Sequence, residues 1–226
     1  MIASHTLDHL VPGEIAIHRH WTAYATLVRR GRYTEAGVNG RLHILPRTLV
    51  LHPQLHLHSN VVLAAGDVCN VSMDEANFRA WRALRGAAVD RMVTLDRPPS
   101  QDEVLEAIAV AEPVEFEQPP IWLQDVFNSD ISRFSEFQRD VSREHAHRQF
   151  KHHFGMPPGQ FRRERHLQRA IELISSGEPL AHAAAAAGFS DQSHMTRLMV
   201  QEFGYTPARL RSKITPVQYH GAIPGD

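Results

Sequence analysis

Residues 183–211 read AAAAAGFSDQSHMTRLMVQEFGYTPARLR, and their pattern decides the fold of the C-terminal part of the chain. The alanine run 183–187 favours helix, because alanine loses no side-chain entropy on entering one. Gly188 permits a sharp left-handed turn, and Ser190 or Asp191 can cap the helix that follows. That helix is amphipathic. Met195, Leu198 and Met199 fall on one side of the wheel, and Gln192, Ser193, Thr196 and Arg197 fall on the other. Gly204 suits a left-handed closure, and Pro207 suits the first turn of a further helix. A short helix, a tight turn containing glycine and a second helix make a helix-turn-helix.

The pattern occurs twice. HAHRQFKHHFGMPP (145–158) superposes on HMTRLMVQEFGYTP (194–207) at a constant offset of 49 residues. His145, Arg148, Phe154, Gly155 and Pro158 match His194, Arg197, Phe203, Gly204 and Pro207. Upstream of the first copy lies RFSEFQRDVSREH, with Phe134 and Phe137 three apart, Asp140 at the place of the turn glycine and Ser142 as a cap. Aspartate tolerates the left-handed region better than most residues. In this copy Ala146 and Phe150 face inward, while Arg143, Glu144, His147, Arg148 and Lys151 face out. Between the copies runs QFRRERHLQRAIELISSG, where Leu167, Ala170, Ile171 and Ile174 form one apolar stripe. About 16 helical residues span roughly 24 Å. Such a rod can hold two outward faces near one DNA turn apart, about 34 Å. A bundle with solvated charged faces is the alternative for one copy; the tandem repeat favours nucleic-acid readers, whose outward donors reach base edges and phosphates.

The whole chain has 226 residues, enough for one or two domains with a buried core. Hydrophobic residues make up 42% and charged residues 22%, a globular rather than disordered composition. The net charge of −1 excludes a uniformly basic nucleic-acid coat, yet it hides two unlike halves. Residues 1–127 hold 11 Lys and Arg against 15 Asp and Glu; residues 128–226 hold 13 against 10. No apolar run is long enough to span a membrane. The N-terminus lacks a basic stretch followed by an apolar one, so a cytoplasmic protein is expected. The lone Cys69 forms no internal disulfide and reads as a small buried residue of a strand. Of the 16 histidines, eight fall in each half. Those on the first outward helix, His145, His147, His152 and His153, read as a solvated surface with His147 near DNA, because the adjacent His152 and His153 do not share a face.

From Ile15 to Ser72 the chain shows short β-rich runs: EIAIHRH, YATLVRR, RYTEAG, RLHIL, TLVLH, NVVLA and VCNVS. Glycine, proline, asparagine and aspartate punctuate them, a pattern of a small sandwich or barrel. In MDEANFRAWRALRG, Phe78, Trp81 and Leu84 at three-residue steps predict a helix. Ser100 and Glu103 form a capping-box pattern ahead of Val104, Leu105 and Ile108. A short helical run, IWLQDVF, follows Pro119 and Pro120. The helices at 100–112 and 120–128 are candidates for a dimer seam and relay. His18 and His20 point to one face of a strand, and His58 comes from a later strand or turn. Three converging imidazoles suit a divalent transition metal; they equally suit a polar ligand pocket without metal.

Residues 131–213 resemble the tandem DNA-binding domain of AraC/XylS-family transcription regulators. The resemblance rests on the quoted 183–211 stretch, on SREHAHRQFKHHFGMPPGQF and on RERHLQRAIELI. It departs from the family pattern at Asp140, at Ala146, and at Met195 and Met199. It implies recognition helices at Arg143–His153 and Asp191–Glu202, with Arg143, Glu144, His147, Arg148, Lys151, Gln192, Ser193, His194, Thr196 and Arg197 as DNA-binding residues. The run from Gly13 through His18, His20, Tyr24 and Gly31, and that from Pro46 to His58, resemble the two cupin motifs. Tyr24 stands at the usual glutamate ligand and Arg47 at a turn glycine. The resemblance implies an α+β chain with three parts: a cupin-like effector-binding barrel or sandwich with flanking helices (1–98), a helical linker or dimerisation segment (99–128) and an all-α tandem helix-turn-helix domain (129–226). Expected effector-binding residues are His18, His20, Tyr24, His52, His56 and His58.

These readings predict a sequence-specific regulator, not an enzyme, that binds double-stranded DNA and a small-molecule effector as a homodimer. RNA polymerase is a further partner if it activates. The alternatives use a metal on His18, His20 and His58: a metal-dependent cupin enzyme, or a metal-responsive regulator. With Tyr24 at the glutamate position, no acidic ligand is expected.

Overall fold

In a computed structural model, residues 5–74, 80–128 and 142–213 are described. The expected turn residue Asp140, with Phe134, Phe137 and Phe78, lies outside the described residues. The architecture is α+β. Among the described residues, ten strands form two antiparallel sheets that do not close into a barrel, with two helices before the last strand and the rest after it. The larger sheet has the order β1 (His5–Leu10), β8 (Gly66–Ser72), β3 (Tyr24–Val28), β6 (Thr48–His52), β9 (Arg82–Arg85) and β10 (Glu112–Pro113). The smaller has β2 (Gly13–Arg19), β7 (Leu57–Ala64), β4 (Arg32–Gly37) and β5 (Gly40–Ile44). Every β-rich run quoted above contributes a strand; β1 and β10 are additions.

Alternation explains the central strands. In β3 and β6, Val28 and Val50 join Tyr33, Leu42, Ile44 and Val62 between the sheets. Their neighbours Ala25, Leu27, Leu49 and Leu51 point the other way. There they meet α1 (Ala87–Val93) and α2 (Gln101–Val110) through Val89, Met92, Val104 and Ala107. Both faces are covered, so these strands read as nearly continuous apolar runs. Helix α2 begins with the expected capping box: Ser100 accepts from the Glu103 amide, and Glu103 accepts from the Ser100 amide. The short run after Pro119 and Pro120 is α3 (Ile121–Asn128).

The helix predicted around Trp81 and Leu84 is corrected to strand β9. A helix would set these side chains on one face. The strand instead sends buried Trp81 and Ala83 between the sheets and Leu84 toward the helices. The exposed edge of β6 decides this by pairing Leu49 with Leu84 and Val50 with Ala83.

Two compact units result, Met1–Glu164 and Arg165–Asp226. The division falls at 164/165, not at the sequence boundary 128/129. The reason is an apolar cluster in the first unit. Val38, Leu57 and Leu123 pack with Ala146, Phe150, Phe154, Met156 and Phe161, which belong to α4 (Arg143–Phe154) and the start of α5 (Pro158–Ser175). Arg19 of β2 also pairs with Glu164 of α5 at 2.8 Å, with both side chains largely buried. The second unit holds the remainder of α5, then α6 (Leu180–Ala186), α7 (Gln192–Phe203) and α8 (Pro207–Lys213). Its core includes Leu167, Ala170, Ile174, Ala183, Ala184, Phe189, Met195, Met199, Phe203 and Leu210.

Candidate functional site

The expected reading helices are built alike. Ser142 caps α4 by accepting from the His145 amide, and Asp191 caps α7 by accepting from the His194 amide at 2.7 Å. Gly155 (φ 69°) and Gly204 (φ 69°) close them in the left-handed conformation. Before α7, Gly188 turns the chain at φ 85° after α6. The inward residues Ala146, Phe150, Met195 and Met199 are fully buried. Arg143, Glu144, His147, Arg148 and Lys151 are exposed on α4; Gln192, Ser193, His194 and Arg197 are exposed on α7, with Thr196 half-buried. Thr196 also donates to the Gln192 carbonyl of its own helix. The carboxyl of Asp191 is held below its ordinary range, first by the His194 amide.

One correction concerns α4. His153 is buried rather than solvated, while its neighbour His152 is exposed.

Between the two sheets lies a cavity of about 300 Å³. Both sheets supply its polar wall. Register sets His18 against His58 across β2 and β7, Glu35 against Asn60 across β4 and β7, and Tyr24 against His52 across β3 and β6. The rings converge: His18 and His58 centroids are 4.4 Å apart, and Tyr24 stacks on His52 at 4.3 Å. Of the six expected effector residues, His18, His20, Tyr24, His52 and His58 line the cavity. His56 does not; it stacks behind His58 at 5.3 Å and against Trp81. Thr26, Asn70 and Asp8 continue the polar lining as a hydrogen-bonded chain, and aliphatic Leu10, Ile15, Val62 and Val68 complete the wall.

The expectation that no acidic ligand is present is overturned by Glu35. This buried carboxylate accepts from His52 Nε2 at 2.9 Å. Reading along the cupin-like motif missed it, because it comes from β4, outside both motif runs. The sequence clue was a glutamate inside the run RYTEAG, where residues 33–37 are otherwise uncharged.

Burial governs the electrostatics here. It pushes Glu35 upward, against the neighbouring His58, and pushes His52 down to about 3. It also holds His56 and His58 well below the ordinary histidine value, lowers His20 and raises Tyr24. Each of these shifts favours the uncharged form of its group. Ligand atoms of His18, His20 and His58 lie within 4.8 Å of one another, as do those of Glu35, His52 and His58. Both ring nitrogens of His58 and Nδ1 of His52 are buried without a hydrogen-bond partner. His18 Nδ1 donates to the Ala16 carbonyl at 2.8 Å, which presents Nε2 as a lone-pair donor. The residues therefore fit a divalent transition metal.

A family described as "Helix-turn-helix domain" matches residues 138–213. The transcriptional activator RhaS of Escherichia fergusonii is 33% identical over 92 residues, covering 40% of this chain and 33% of the relative. RhaS of Enterobacter sp. is 32% identical over 94 residues, with the same coverage. The chain spans about a third of the length of these curated relatives. Among solved structures, ToxT of Vibrio cholerae is similar at a TM-score of 0.42 and 10% identity, over 94% of this chain and 99% of that one. The AraC-like activator CuxR is similar at 0.30 and 14%, over 84% and 72%. Residues 138–213 thus belong to a helix-turn-helix domain family, as the resemblance to AraC/XylS-family regulators implies.

Proposed function

We propose that the chain is a sequence-specific DNA-binding transcription regulator that responds to a small polar effector held between the two sheets. The observation that carries the reading is the shared design of α4 and α7. Each is capped by an oxygen side chain, closed by a left-handed glycine, buried on one face and studded with exposed donors on the other. Arg148 and Arg197 occupy matching exposed positions and are the leading base or phosphate contacts. Effector binding changes DNA affinity only in so far as it favours the arrangement of reading helices that DNA also favours. In this reading the chain acts as a homodimer in the cytoplasm, and RNA polymerase is its further partner if it activates. No described helix is long and apolar enough to cross a membrane.

The test is selection of duplexes from a random pool by the full chain, then titration of the selected duplex at fixed salt. Arg197→Ala is expected to weaken it by about 1–3 kcal/mol if Arg197 reads bases. An unchanged affinity removes that role, and failure to enrich any sequence removes the reading.

A second reading is favoured by Glu35 and the partnerless His58 nitrogens: a metal-responsive regulator whose cavity holds the ion. His18, His20 and His58, or Glu35, His52 and His58, are the holding sets, and the ion would supply Lewis acidity toward an oxygen ligand. Elemental analysis of purified protein decides between them. Stoichiometric metal that is lost in His58→Ala, the residue common to both sets, supports the metal reading; metal-free protein that still binds selected DNA supports the first.

A further inference from the structure

A second group of metal-binding side chains lies outside the cavity, where the 114–120 connector meets the last turn of α4. Glu117 Oε1 lies 3.5 Å from His152 Nε2 and 3.6 Å from His153 Nδ1. These separations are long for charge-assisted hydrogen bonds, which run at about 2.7–2.9 Å. They are close to the ligand-to-ligand edge of a tetrahedron with metal bonds of about 2.0–2.1 Å, an edge of roughly 3.3 Å. The other carboxylate oxygen is already engaged. Oε2 accepts from His43 Nε2 at 2.7 Å and lies 3.4 Å from Arg41 Nε.

The surroundings fix this arrangement. Arg41 donates to the His152 carbonyl at 2.8 Å and so secures the end of α4. His153 is buried, and its Nδ1 has no hydrogen-bond partner. A cavity of about 280 Å³, lined by Phe116, Glu117, Gln124 and His153 among others, opens onto the group. The adjacent histidines diverge around the helix, yet both come within 3.6 Å of Glu117 Oε1.

We propose that Glu117, His152 and His153 form a binding site for a divalent transition metal ion such as Zn²⁺, joining the 114–120 connector to the last turn of α4. His43 orients the carboxylate from the outside, as such partners do at protein metal sites. Three protein ligands leave a fourth position for water. The ion clamps one of the two proposed DNA-reading helices onto the sheet-bearing unit. The site itself does not rest on the DNA reading, because its test needs no DNA.

The experiment is calorimetric and visible-absorption titration of chelator-treated full-length protein with Co²⁺, a spectroscopic stand-in for Zn²⁺. His58→Gln breaks both cavity sets, because His58 is common to them; it is expected to keep one Co²⁺ site with tetrahedral-type absorption. Adding His152→Gln, at an exposed position, is expected to abolish that site, while its metal-free thermal melt stays that of the parent. Adding His43→Ala instead is expected to weaken the site by about 10–100-fold. The proposal is overturned if the parent binds no Co²⁺, or if His152→Gln binds it unchanged.

Discussion

His52 shows what one buried side chain demands. Its imidazole is fully enclosed, hydrogen-bonded to Glu35 and pushed from 6.5 to about 3 by burial, with His56 and His58 lowered beside it. The unfolded chain therefore binds protons that the folded unit refuses. The stability these groups contribute is fully present above pH 6.5 and is lost as pH falls toward about 3. Glu35, raised by burial, works in the opposite direction above its ordinary value of 4.5, but it is one group against four once the lowered His20 is counted. All three tryptophans, Trp21, Trp81 and Trp122, lie in the first unit, so their fluorescence reports its unfolding. In chelator-treated protein, the urea midpoint read this way should fall steadily between pH 6.5 and 4.5. A flat profile would show that the histidines are hydrated or charged in the folded state.

At the scale of elements, the two reading helices end identically in sequence but not in surroundings. Gly155 and Gly204 both hold φ 69°, where an L side chain costs about 1–2 kcal/mol. At Gly204 an added Cβ meets nothing within 4 Å. At Gly155 it would collide with the Ser59 hydroxyl and meet the Ala36 Cβ at 3.2 Å. Gly204→Ala should therefore cost only the backbone term, and Gly155→Ala distinctly more. Tryptophan-detected denaturation should respond to Gly155→Ala and not to Gly204→Ala; equal responses would sink the distinction. The Phe-Gly endings and helix caps were legible in the sequence because local backbone geometry imposes them. The strand at Arg82–Arg85 was not, because its state depends on the free edge of β6.

Across the molecule, the division of the chain depends on contacts far apart in sequence. Arg19 and Glu164 form a largely buried ion pair 145 residues apart, and the apolar cluster around Phe150 and Phe154 includes Val38 and Leu57. Removing one partner of a buried pair is costly because the other loses its compensating charge. Arg19→Ala should lower the stability of the first unit by on the order of 3 kcal/mol. It should leave a separate transition of the second unit, followed by helical circular dichroism, in place. Simultaneous loss of both transitions would mean that the units do not unfold independently.

The sequence by itself determined the two matched helices α4 and α7, their caps and closing glycines, their exposed donors and the seven central strand segments. These follow from period, capping chemistry and backbone freedom, which act over a few residues. Convergence of His18, His20 and His58 was also legible, from strand alternation and motif spacing. Only the tertiary structure decided that Glu35 joins those histidines, that His56 stands behind them and that Glu117 reaches both His152 and His153. It also decided that α4 packs with the sheets, which moves the unit boundary to 164/165. Each of these depends on strand register or on side chains brought together from distant positions. Local periodicity constrains which way a residue points, but not what it meets there.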